Sequence, residues 1–178
     1  MRKNRKIIFI FVLLCTSLVL FWNIKSREKV NRENDEKISS YMIEEDEGKM
    51  DEEQYIGFLD IPVIKLKRGF YSMTSEYNNV NKNIQVIADD MDDLLILAAH
   101  RGNSKVSFFQ NLEKLSLGDE IYLNYKHSVY KYRLYYKYYE KKDGNLSIKY
   151  DNNQKTLVLI TCVRELKDKQ VVYIAYKI

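Results

Sequence analysis

The sequence predicts an all-β domain, a small closed or nearly closed barrel of seven or eight strands with short helical turns, carried behind one N-terminal transmembrane helix. Three observations predict it. The 178 residues include 15 Tyr against a single Pro and 6 Gly, a composition that suits pleated, half-buried surface better than coil. Short apolar or alternating runs recur along the body of the chain, separated by polar turn residues. Residues 7–24, IIFIFVLLCTSLVLFWNI, carry no charge at all.

At about 1.5 Å per residue, the run 7–24 makes a helix of roughly 27 Å, slightly short of a hydrocarbon core of about 30 Å. Lys6, Lys25 and Arg27 at its ends then reach the interface by snorkelling. No small-x-small site for a signal peptidase follows the run, and Leu14 before Cys15 argues against a lipoprotein signal. Cys15 reads as a small apolar residue of the span. Arg2, Lys3, Arg5 and Lys6 favour a cytoplasmic N-terminus, so the body is expected outside the cytoplasm as part of a single-pass cell-membrane protein.

Charge divides the chain further. Residues 1–32 hold eight Lys/Arg and one Glu, residues 33–54 hold ten Asp/Glu and two Lys, and the rest is mildly basic. The expected parts are a basic head at 1–6, the span at 7–24, a solvated charged linker at 25–54, and a folded domain at 55–178. A formal net charge of +4 does not by itself argue for nucleic acid.

Within the body, YIGFLDIPVIKL predicts a strand, a break at the Pro and a second strand, and DDLLILAAH a buried strand ending at His100. KVSFFQNLEKLSLGDE predicts a helical turn or two closed by Gly118. EIYLNYKHSVYKYRLYYKYYE predicts two alternating strands around a turn at 126–128, in which the tyrosines serve core and surface packing. After a polar loop at 141–154 come the strands TLVLIT and QVVYIAYKI.

Reactive side chains are few. Outside the membrane run Cys162 is the only cysteine, which leaves no internal disulfide and a thiol that is either buried and inert or free and reactive. His127 falls in the hairpin turn, where a solvated ring without a function is expected. His100 and Cys162 each follow an apolar strand, the place where scaffolds present catalytic groups, and a thiol needs an imidazole or cation nearby to ionise near neutrality. No metal-ligand cluster and no phosphate-cradling glycine loop are evident, so neither metal nor cofactor is expected.

YIGFLDIP, LILAAHRGNS ahead of SFFQNLEKLSLGDEIYL, and TLVLITC before a final strand occur in one consistent order over 55–178. Together they resemble the sortases, the membrane-anchored cysteine transpeptidases of Gram-positive bacteria. The resemblance implies an eight-stranded β-barrel. It implies Cys162 as the nucleophile, forming a thioacyl enzyme with a C-terminal sorting motif similar to Leu-Pro-x-Thr-Gly on secreted surface proteins. It implies His100 as the general acid and base. The acceptor it implies is an amine of a cell-wall precursor or a pilin lysine. A catalytically silent module that binds sorting peptides and a hydrolytic cysteine peptidase are the alternatives.

The sequence departs from the family where an arginine usually opens the last strand. Gln170 stands there, a neutral donor for an oxyanion, with Arg164 and Arg101 as the other groups able to reach in. The usual Gly before the histidine is Ala99.

Overall fold

A computed structural model describes residues 2–43, 53–90, 93–126, 128–144, 146–163, 166 and 168–178, with side chains from Ile8 onward. One helix, α1 (Arg2–Ile43), precedes eight strands: β1 (Gly57–Ile61), β2 (Leu66–Phe70), β3 (Gln85–Asp90), β4 (Leu94–Ala98), β5 (Glu120–Tyr125), β6 (Ser128–Lys141), β7 (Thr156–Cys162) and β8 (Lys169–Lys177). They form one curled sheet in the order β2-β1-β5-β6-β8-β7-β4-β3, and a single bridge between Phe70 and Ile84 brings the two edges together. The all-β expectation holds, as a half-barrel of eight strands.

The elements follow from their residues. Pro62 opens a 3-10 turn between β1 and β2, closed by Lys65 at φ 54°. Lys126 at φ 48° turns β5 into β6. Between β4 and β5 one short 3-10 turn, Leu112–Lys114, stands in the predicted helical region, and Gly118 at φ +93° ends that region in a conformation glycine adopts without strain. The run QVIADD, not read as a strand from sequence, is β3. Its alternation is brief and ends in two acids, so only pairing with β4 reveals it.

β7 shows why a continuous apolar run was needed. Leu157 and Leu159 face the inner core with Leu97, Phe109, Leu123 and Leu134. Val158 and Ile160 face outward with Ile96, Val172 and Ile174. That outer face is covered by the chain's own segment 146–150, whose Ile148 and Tyr150 pack on it. Tyr138 holds the segment by donating to the Ser147 carbonyl at 3.3 Å and accepting from the Lys149 amide at 3.0 Å, while Tyr136 donates to the Lys149 carbonyl. Burial on both faces is worth about 1.5–3 kcal/mol per large aliphatic side chain.

The solvated linker expected at 25–54 is not what the structure has over 25–43. α1 continues without a break to Ile43, and Asn34, Ile38 and Tyr41 are buried against the barrel. Their spacing of four and three places them on one helical face, a stripe too sparse among charges to stand out in the sequence. Residues 44–52 lie outside the described residues.

Asn34 does what a ninth strand would do. β2 is an edge strand, and the Asn34 amide donates to the Lys67 carbonyl at 3.1 Å while its oxygen accepts from the Gly69 amide at 3.0 Å. Arg68 completes the seam, donating to the Val30 carbonyl and to Asn83 and stacking over the Phe108 ring at 4.0 Å. A Cβ on Gly69 would lie 2.0 Å from the Tyr55 ring, so only glycine fits there.

Two outcomes are expected. Asn34→Ala strips two backbone groups of their buried partner and lowers unfolding free energy by about 1–3 kcal/mol, measured by urea denaturation of the full chain in detergent. Burial raises Tyr55, Tyr132 and Tyr173 from 10.0 to about 12. In the unfolded chain these phenols ionise near their usual value, so the stability they contribute is complete below pH 10.0 and is lost as pH rises to about 12. Tyrosinate absorbance followed beside circular dichroism should show their ionisation coinciding with alkaline unfolding.

Candidate active site

Parallel pairing of β4 with β7 sets Ala98 beside Ile160. Past the end of the register, the Ala99 amide donates to the Ile160 carbonyl at 3.3 Å, and the Thr161 hydroxyl donates to the Ala99 carbonyl at 2.8 Å. Both strands run the same way, so the residues that follow, His100 and Cys162, emerge at the same rim. The His100 carbonyl also accepts from the Phe109 amide at 3.1 Å, and Phe109 is fully buried. The histidine backbone is thus held from both sides.

The His100 ring is positioned by Asn81, whose Oδ1 lies 3.0 Å from Nε2. Nε2–H donates to that oxygen, which leaves Nδ1 as the nitrogen able to exchange a proton. Asn81 belongs to the loop between β2 and β3, and its own amide is turned back onto Asn79 Oδ1 at 2.8 Å. A lone asparagine in an Asn-rich loop gave no sequence signal for this.

β7 is buried from Thr156 through Thr161, and Cys162 is the first of its residues to reach solvent. The sulfur is neither sealed in the core nor disulfide-bonded. Alternation continues the outward face of Val158 and Ile160 to Cys162, and the antiparallel pairing sets Gln170 directly opposite it. On the other side of β8, Gln170 is opposite Glu140 of β6. A row of three, Cys162, Gln170 and Glu140, therefore crosses three strands on one face.

The cation at the sulfur is Lys142, whose Nζ lies 3.5 Å from Cys162 Sγ. Its backbone amide is tied to the Asp168 carbonyl at 2.7 Å, which fixes where the side chain starts. Sequence reasoning missed it, because Lys142 lies 20 positions before the cysteine in a Lys-rich polar stretch. Arg101, one of the cations expected to reach in, is instead committed to an ion pair with Glu113, with its side chain 10% exposed. Arg164 and His127 lie outside the described residues. Cys15 sits on the exposed apolar part of α1.

Glu140 Oε2 is buried without a hydrogen-bond partner. Among the described residues no group of three or more His, Cys, Asp or Glu is arranged to hold a metal. Apolar side chains from Ile8 to Ile24 are all well exposed, and α1 is the one helix among the described residues long and apolar enough to cross a membrane.

Comparison with known proteins bears on the family and the fold. A family model described as Sortase domain matches residues 59–177. None of the curated proteins matches the chain. Among solved structures, a Clostridium perfringens sortase D5 transpeptidase is 18% identical, with 81% of this chain and 88% of that chain covered at a TM-score of 0.60. Streptococcus pneumoniae sortase C is 20% identical over 77% of this chain and 76% of its own, also at 0.60. Listeria monocytogenes sortase A is 18% identical over 70% and 87%, at 0.57. At such identities the likeness is one of fold.

One Glu140 oxygen is buried without a partner, so Glu140→Met, similar in length and with no strong polar atom to leave unpaired there, is expected to raise unfolding free energy by up to about 1 kcal/mol, read as a higher Tm.

Proposed function

Since the chain belongs to the sortase family, a family of cysteine transpeptidases, we propose that Cys162 and His100 carry out peptide transfer on the sorting signals of secreted proteins at the outer face of the membrane. The observation that carries this reading is the parallel β4–β7 register, which delivers a histidine and a solvent-reaching cysteine to one rim.

The chemistry follows from the groups present. The Cys162 thiolate attacks a backbone carbonyl within a Leu-Pro-x-Thr-Gly-like motif, forming the S–C bond while the carbonyl π pair moves onto oxygen. The Gln170 amide donates to that oxyanion, a role supported by its position directly opposite Cys162. On collapse the C–N bond breaks, His100 gives its proton to the leaving amine, and a thioester remains. An incoming amine then attacks the thioester and loses its proton to His100, and the sulfur departs as thiolate. A thioester reacts readily with amines, which favours transfer over simple cleavage.

The acceptor is an amine of a cell-wall precursor or a pilin lysine. The solved structure of Streptococcus pneumoniae sortase C is described with respect to pilin substrate specificity, which supports the second as a class. The exposed apolar stretch of α1 anchors the protein, with the basic head 1–6 in the cytoplasm.

The full chain in detergent, incubated with a panel of sorting peptides with and without an amine acceptor, tests the reading by mass spectrometry. Expected are a thioacyl adduct on Cys162 and amine-dependent ligation, abolished in Cys162→Ala and reduced about a hundred- to ten-thousandfold in His100→Ala. Hydrolysis alone would make the protein a peptidase, and binding without turnover would make it a silent module. Full activity in Gln170→Ala would remove Gln170 from the site.

A further inference from the structure

We infer that Lys142 supplies the positive charge of this site, pairing with the Cys162 thiolate where the position opposite it on the last strand holds the neutral Gln170. The inference deepens the reading of Cys162 as the attacking sulfur and rests on it.

A thiolate next to a neutral amide keeps little of the charge stabilisation that a guanidinium gives, since charge-assisted hydrogen bonds are roughly twice as strong as neutral ones. The charge must come from elsewhere on the same face. Among the described residues, the titratable groups on the segments that meet at Cys162 are His100 after β4, Glu140, Lys141, Lys142 and Asp143 at the end of β6, and Asp168 and Lys169 at the start of β8. Lys142 is the one among them whose cationic atom is bonded to the sulfur, at 3.5 Å.

Three features make this contact more than a surface lysine at rest. The Lys142 amide is anchored to the Asp168 carbonyl, so β6 and β8 fix the base of the side chain. From that base the four-carbon stem carries the ammonium to within 3.5 Å of the sulfur at the end of β7. Lys142 also makes no ion pair with Glu140, although the two belong to one strand end and a Glu140 oxygen is left unpartnered. The ammonium is turned toward the sulfur.

In the reaction Lys142 keeps its proton throughout. It stabilises sulfur as an anion before attack and again when the acyl group leaves, while His100 moves the proton between the two amines. Lysine and histidine therefore have separable duties.

The test uses the full chain in detergent. Alkylation of Cys162 by iodoacetamide is followed across pH by mass spectrometry of the peptide that contains it, which separates it from Cys15. A cation favours the charged form of a neighbouring thiol, so its loss moves the pH–rate profile to higher pH. Lys142→Met, similar in length and uncharged, should slow alkylation near neutral pH about three- to fivefold and converge with the parent at high pH. Lys142→Arg should stay within about twofold. High salt should narrow the gap between parent and Met variant, as it does for a solvent-exposed pair.

A Met variant with the parental profile and an unchanged Tm overturns the inference. A lysine-dependent profile in a protein that ligates no peptide keeps it and sinks transpeptidation instead. Peptide ligation that survives Lys142→Met undiminished leaves transpeptidation standing and removes the lysine.

Discussion

The site depends on one pairing, the parallel ladder between β4 and β7. Two antiparallel neighbours place their C-terminal ends at opposite rims, and a histidine ending one strand could then never meet a cysteine ending the other. Parallel strands require a long crossover, here the chain from His100 through β5 and β6 to Thr156. That crossover is also what carries Lys142 to the rim. The connection that makes the pairing topologically possible brings the charge that the paired strands lack.

The β-rich class, the membrane run and most strand positions were legible because each rests on local pattern. Period-two alternation marks β5 and β6, and the all-apolar TLVLIT marks a strand buried on both faces. Cys162 and His100 were legible for the same reason, as reactive residues at the ends of such runs. What stayed hidden is non-local. Asn81 acts on His100 from 19 residues away, and Lys142 on Cys162 from 20. The docked face of α1 consists of Asn34, Ile38 and Tyr41 dispersed among charges, and its meaning depends on an edge strand located far along the chain.

The row Cys162–Gln170–Glu140 shows how neighbouring strands bring side chains to one face beside the sulfur. Cross-strand neighbours share a face, and on that face the sheet offers positions on three strands and the loops between them. A charge that leaves β8 can return from the end of β6. Arg101 cannot play this part, since it is occupied by Glu113 and lies against the interior where Tyr173 feels its field.

α1 runs unbroken from the lipid-compatible stretch into its seam with β2, and Arg27, three residues past Ile24, donates to the Asn103 carbonyl at 2.5 Å, three residues past His100. Such a stalk has no slack. With residues 7–24 in a bilayer, the rim that holds His100 and Cys162 is carried at a set altitude and does not sweep outward on a tether. For the transfer proposed above, such a fixed height would favour polypeptides still held by the same bilayer over those already released.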